Sequence, residues 1–171
     1  MSEFLVPPAS KRDIKRLAST IRKKFGLEYV AFFPVVEMIE VALPMFDSQF
    51  NFEIVEDCEF GLDAANYNPQ QNLMRIRQSV YDGACAGNGR DRFTLAHELG
   101  HYFMHKDVDL ALSRIDTKYT VPAYCNSEWQ ANTFASALLM PDHIIKDMQP
   151  NQIAKICGTS LSAADIAYKK K

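Results

Sequence analysis

The stretch "FTLAHELGHYF", residues 93–103, holds two histidines four residues apart with a glutamate directly after the first. On a helix, positions i and i+4 share a face about 6 Å apart. His97 and His101 can therefore both reach one ion at a zinc–nitrogen distance of about 2.0–2.1 Å. Glu98 is turned by about 100° from His97, too far round to be a good ligand. It is well placed instead to take a proton from a water held beside the ion. A pattern of two ligands and one base is the chemistry of metal-assisted hydrolysis. It still needs a third protein ligand and an open position.

The remaining histidines, His105 and His143, do not supply that ligand readily. His105 continues the same helical face but lies about 12 Å along the axis from His97. It also misses the metzincin spacing, in which the third histidine comes six residues after the second. An orienting or surface role suits it better. A carboxylate on another helix is the alternative. Glu128 opens "EWQANTFASALLMP", with Asn132 one turn later on the same face. This arrangement resembles the gluzincin pattern, where a glutamate on a following helix completes the site and a polar residue one turn on orients a ligating histidine. Glu128 equally fits a plain first-turn acid favoured by the helix dipole. Gly100, between the histidines, costs a helix about 1 kcal/mol relative to alanine, so its presence predicts a close approach by another backbone.

Together, "RFTLAHELGHYFMH" and "EWQANTFASALLMP" resemble the ImmA/IrrE family of zinc metallopeptidases over roughly residues 70–145. Ala131, Asn132, Phe134, Ala135, Leu139 and Pro141 fall on the family's second helix motif. The resemblance implies His97, His101 and Glu128 as ligands of Zn2+ and Glu98 as general base. Asn132 would orient a ligand. It further implies a peptide-bond hydrolase acting on a protein, with helix-turn-helix repressors among the family's substrates. The competing function class is a zinc-containing regulatory or toxin–antitoxin-type module that binds a partner without cutting it. The carbonyl oxygen of a substrate would need one further donor, for which Tyr81, Tyr119, Tyr124 and Arg92 are the candidates.

The elements that must position these groups follow from the patterning. Residues 11–24 carry seven Lys/Arg against one Asp. Ile14, Leu17, Ile21 and Phe25 form an apolar stripe, which predicts an amphipathic helix with a solvated basic face, capped by Ser10 and Asp13. A short buried helix is expected between Pro34 and Pro44, the latter acting as a stop. Residues 50–56 alternate as a strand, with Phe50, Phe52 and Ile54 on one face. A hairpin is expected around "NPQQN", with Met74 and Ile76 facing in. "DGACAGNGRD" reads as a glycine-rich connector, because it matches no phosphate-binding pattern. The motif helix spans about residues 90–105, followed by a charged irregular stretch. The second helix begins at Asn126 or Ser127 and ends before Pro141. Short helices broken at Pro150 and Gly158 complete the chain. This predicts an α+β fold, with a small, mainly antiparallel sheet packed against the motif helix. Residues 1–145 form the metallopeptidase-like domain and 146–171 a helical C-terminal cap. "QIAKICGTSLSAADIAYKK" faintly resembles a helix-turn-helix, but its second helix lacks the Arg, Lys, Asn or Gln needed for base readout.

A chain of 171 residues with 47% apolar and 23% charged residues is ordinary globular composition. Its N-terminus shows no signal-peptide pattern, and its longest charge-free run is too short to span a bilayer. The expected location is cytoplasmic, with neither membrane nor direct nucleic-acid binding. Four scattered cysteines, Cys58, Cys85, Cys125 and Cys157, offer neither a disulfide framework nor a cysteine metal site.

Overall fold

The computed structural model describes residues 5–61, 63–108 and 121–170. Helix α1 spans Lys11–Lys24, and the Ser10 side chain accepts from the Asp13 N–H at its start. Ile14, Ala18 and Ile21 are buried beneath it, with Leu17 and Phe25 packed at the margin. One member of its basic face behaves otherwise. Arg22 is fully buried and donates to the Leu138 carbonyl at 2.6 Å and to the Val30 carbonyl. Leu138 lies in the last turn of a helix, where carbonyls lack partners within the helix, so a buried guanidinium supplies what the helix cannot.

Pro44 does not stop the next helix. The chain runs through α2 (Val35–Glu37), a π-helical turn (Met38–Ala42) and α3 (Leu43–Phe46). Leu43 donates its N–H five residues back to Met38. This wider turn accommodates a residue that has no N–H of its own and would crowd the carbonyl four before it.

Three strands follow, β1 (Asn51–Val55), β2 (Ala65–Asn68) and β3 (Leu73–Arg77), in the order β1-β3-β2. The β2–β3 hairpin is antiparallel, and Met74 and Ile76 are buried on its inner face as the alternation predicts. The sheet as a whole is mixed, because β1 runs parallel to β3, with Asn51 opposite Leu73. Between Val55 and Ala65 the chain passes from one side of β3 to the other. The hairpin then reverses direction again, so β3 returns alongside β1 in the same sense. On β1 the alternation is weaker than expected. Phe50 is buried just before the strand, but Ile54 is exposed.

Most of the anticipated glycine connector is helix, with residues 82–85 in one helix and 89–91 in the next. Helix α4 covers Gln78–Cys85, leaving only three residues before α5 (Gly89–His105). A Cβ on Gly83 would lie 2.0 Å from an Asp91 carboxylate oxygen, so any larger residue there must displace the Asp91 side chain. A 3-10 turn at Ala123–Cys125 leads into α6 (Ser127–Leu139). Helices α7 (Asp142–Ile145), α8 (Pro150–Cys157) and α9 (Leu161–Lys170) end the chain, with Gly158 left-handed between α8 and α9. Ile153, Cys157, Ala164 and Ala167 join the same apolar core as α5 and α6. Arg92 ties this region to the centre by donating to the Gly158 and Phe33 carbonyls at 2.9 and 2.7 Å. Among the described residues, no helix is long and apolar enough to cross a membrane.

Candidate metal centre

Helix α5 begins where the Asn88 side chain accepts from the Arg90 and Asp91 N–H groups. Leu95, Ala96, Leu99 and Tyr102 form its buried stripe. Helix α6 begins where the Asn126 side chain accepts from the Trp129 N–H, and it buries Ala131, Phe134, Ala135 and Leu138. The two helices meet at Gly100. A Cβ there would lie 3.0 Å from the Ala131 Cα and 3.1 Å from its carbonyl oxygen. Glycine between the histidines is thus what allows α6 to approach.

That approach brings Glu128 over the histidine pair. The Nε2 atoms of His97 and His101 are 3.0 Å apart. Glu128 Oε2 is 3.2 Å from His97 Nε2, and its Oε1 is 3.3 Å from His101 Nε2. Donors each about 2.0–2.1 Å from one tetrahedral ion would be roughly 3.3 Å apart, so three side chains with this chemistry and spacing fit a metal ion. Carboxylate and imidazole also hold one another electrostatically. Burial presses His97 towards the neutral form, but its hydrogen bond to Glu128 leaves the net shift upward. Burial likewise opposes a charged Glu128, and the two histidines overcome it, leaving its carboxyl below the usual range.

The outer nitrogens of both histidines are engaged. His97 Nδ1 is 3.1 Å from Asn132 Oδ1, the residue one turn after Glu128. His101 Nδ1 is 3.0 Å from His105 Nδ1, whose ring continues through Nε2 to Gln130 Oε1 at 3.0 Å. His105 is buried, which pushes its pKa down to about 4. Of the two roles that spacing left open for His105, the surface one is excluded. Gln130 carried no signal in the sequence; it sits half a turn past Glu128 on the helix's inner side, and only the docking of α6 on α5 reveals it.

Glu98 is buried beside the cluster, and its Oε1 has no hydrogen-bond partner. Burial raises its pKa, opposed by the two histidines and by the Tyr67 N–H. The Tyr67 contact identifies the neighbouring strand edge. Arg77 donates to the Ala64 carbonyl, so in this register Ala65 and Tyr67 turn their main-chain groups away from β3. Among the described residues no strand pairs with this edge of β2, which runs past Glu98.

Two of the four candidates for the extra donor lie elsewhere. The Tyr81 hydroxyl donates to Glu40, and the Arg92 guanidinium is stacked 3.6 Å over the Phe32 ring. The Tyr124 side chain is exposed just before α6. Tyr119 and most of the charged stretch around it lie outside the described residues.

The family model described as Peptidase_M78, IrrE N-terminal-like domain, matches residues 60–157. No curated protein matches the chain. Among solved structures, a Mycobacterium tuberculosis transcriptional regulator is similar in fold, with a TM-score of 0.59 at 14% identity. The match covers 90% of this chain and 45% of the regulator, so the chain spans less than half of that protein's length. The family match covers β2 and the helices that carry His97, His101 and Glu128, and the chain belongs to the ImmA/IrrE family as a Peptidase_M78 domain.

Proposed function

We propose that the chain is a zinc-dependent endopeptidase, with His97, His101 and Glu128 as the metal ligands and Glu98 as the general base. The observation that carries this reading is the pairing of two features. Three donors converge at metal-binding distances, and beside them a buried carboxylate oxygen has no partner. A buried acceptor without a partner costs about 1–3 kcal/mol, and a water poised for attack would relieve that cost. A purely structural ion would not require it.

Zinc, when bound, would supply a Lewis acid that polarises the scissile carbonyl and eases deprotonation of water. Glu98 takes the proton onto its carboxylate as the water oxygen bonds to the carbonyl carbon. The same proton then passes from Glu98 to the amine nitrogen as the carbon–nitrogen bond breaks. The β2 edge turns the main-chain groups of Ala65 and Tyr67 away from β3; the Tyr67 N–H bonds Glu98, and the others can pair with an extended substrate as an added strand. Asn132 holds His97 through Nδ1. A protein substrate, of the helix-turn-helix repressor kind expected from the family, and a cytoplasmic setting complete the reading. The likeness to a transcriptional regulator supports a place in transcriptional control.

The test is incubation of zinc-loaded wild type and Glu98→Gln with a proteome-derived peptide library, read by mass spectrometry. New termini from wild type, absent with Glu98→Gln at equal zinc content, support the proposal. Cleavage by both would remove Glu98 from its role. Zinc binding with no cleavage by wild type would favour the non-cleaving partner-binding module.

A further inference from the structure

Behind His101 lies a chain of hydrogen bonds that begins at the backbone and ends at the metal-facing nitrogen. Gln130 Nε2 donates to two carbonyl oxygens, those of Pro7 at 2.9 Å and Tyr124 at 2.8 Å. Carbonyls only accept, so the amide group of Gln130 has one satisfactory orientation, NH2 towards Pro7 and Tyr124 and Oε1 towards His105. A carbonyl-type Oε1 also only accepts, so His105 Nε2 must carry the proton at the 3.0 Å contact. Neutral His105 then has a bare Nδ1, which accepts from His101 Nδ1–H at 3.0 Å. That places the lone pair of His101 on Nε2, the atom facing His97 and Glu128. Reversing the chain would set Gln130 Oε1 against two carbonyl oxygens. His105 and Gln130 are both almost fully buried, so water does not compete for these contacts.

We propose that His105 and Gln130 form a one-way relay that fixes the tautomer and ring orientation of His101, with the main chain at Pro7 and Tyr124 as its anchor. His105 is thus a positioning residue. The far end of the relay is itself braced, because Val6 donates to the Cys125 carbonyl at 3.0 Å and Ala9 to the Tyr124 carbonyl at 2.9 Å. The segment ahead of α1 is by this account part of the metal centre's support, though it lies far from the HExxH motif in sequence. The inference rests on the metal-site reading for its consequence, but the direction of the relay follows from the two carbonyls and a neutral, buried His105.

Three variants of the full chain separate positioning from packing, with zinc affinity measured by competition against a chromophoric chelator. His105→Phe keeps the ring's shape and removes both nitrogens. His105→Asn places an amide oxygen near the position of Nδ1, and His105→Gln places an amide nitrogen near that of Nε2. The relay predicts a 10–100-fold loss of zinc affinity for Phe, typical of lost support behind a ligand. It predicts substantial recovery with Asn and little with Gln. A packing role predicts the opposite order, with Phe nearest wild type, and that order would overturn the relay. Nitrogen-15 NMR of metal-free wild type gives a second reading. Protons on His105 Nε2 and His101 Nδ1 support the relay, and a proton on His105 Nδ1 overturns it. Wild type that shows the expected tautomers yet takes up no zinc would sink the metal-site reading alone.

Discussion

Gly100 and Ala131 are in such close contact that a Cβ on the glycine would come within 3.0 Å of the Ala131 Cα. The spacing between α5 and α6, and with it the reach of Glu128 to both histidines, is set at this point. Gly100→Ala gains about 1 kcal/mol in helix propensity and incurs roughly 1–3 kcal/mol of overpacking. A net loss of about 1 kcal/mol in urea unfolding is expected, with weakened zinc binding. Gly100→Val should be worse in both. A stabilised Gly100→Ala with unchanged zinc affinity would mean that the helices are free to adjust.

Asn132 holds His97 as the relay holds His101, but through a single contact of 3.1 Å. Asn132→Ala should lower zinc affinity by roughly 10–100-fold with little change in metal-free stability. Chelator competition beside thermal unfolding of the metal-free protein separates the two effects. Unchanged affinity would assign Asn132 to packing.

Asp47 links the end of α3 to the hairpin and to α5. Its carboxylate accepts from Lys106, from Asn72 Nδ2 at 2.9 Å and from the Tyr102 hydroxyl at 2.9 Å. The Lys106 contact is the largest influence on its pKa; burial opposes the shift, and the other hydrogen bonds carry it well below the ordinary 3.8. A depressed folded-state pKa means that the unfolded chain takes up the proton first. The contribution to stability is therefore complete above about pH 5 and declines as pH falls through 4 and lower. Asp47→Asn should be less stable than wild type at pH 7, and the gap should narrow as pH drops from 5 to 2. A gap that stays constant over that range would contradict the assignment.

Arg92 satisfies the Gly158 and Phe33 carbonyls from a buried position. Arg92→Met should cost about 1–3 kcal/mol, since the Gly158 carbonyl loses its donor while the Phe33 carbonyl keeps the Val35 N–H. Zinc stoichiometry should be unaffected under conditions where the variant remains folded. Loss of zinc from a folded variant would restore Arg92 to the site.

Those features that depend on contacts within one helix were legible in the sequence. The i, i+4 spacing of His97 and His101, the caps at Ser10 and Asn126 and the helical break at Gly158 all follow from neighbouring residues. The need for close approach at Gly100 was legible as well, because glycine inside a helix requires a reason. What escaped depends on groups distant in the chain. The parallel pairing of β1 with β3 arises from a crossover that no strand pattern encodes. Arg22 looked like one more solvated cation, and only the carbonyls of Val30 and Leu138 explain its burial. Gln130 is an ordinary helical polar residue until His105, Pro7 and Tyr124 surround it. Pro44 misled for a local reason, since a π-helical turn lets the helix continue where an α-helix would end.

Whether His97, His101 and Glu128 hold one zinc ion is decided by metal content. Wild type, His97→Ala and Glu128→Ala, purified without added zinc, are to be measured by plasma mass spectrometry and again after reconstitution. Close to one zinc per chain is expected in wild type, with the metal lost in both variants. Zinc retained by Glu128→Ala, or no zinc in wild type even after reconstitution, would contradict it.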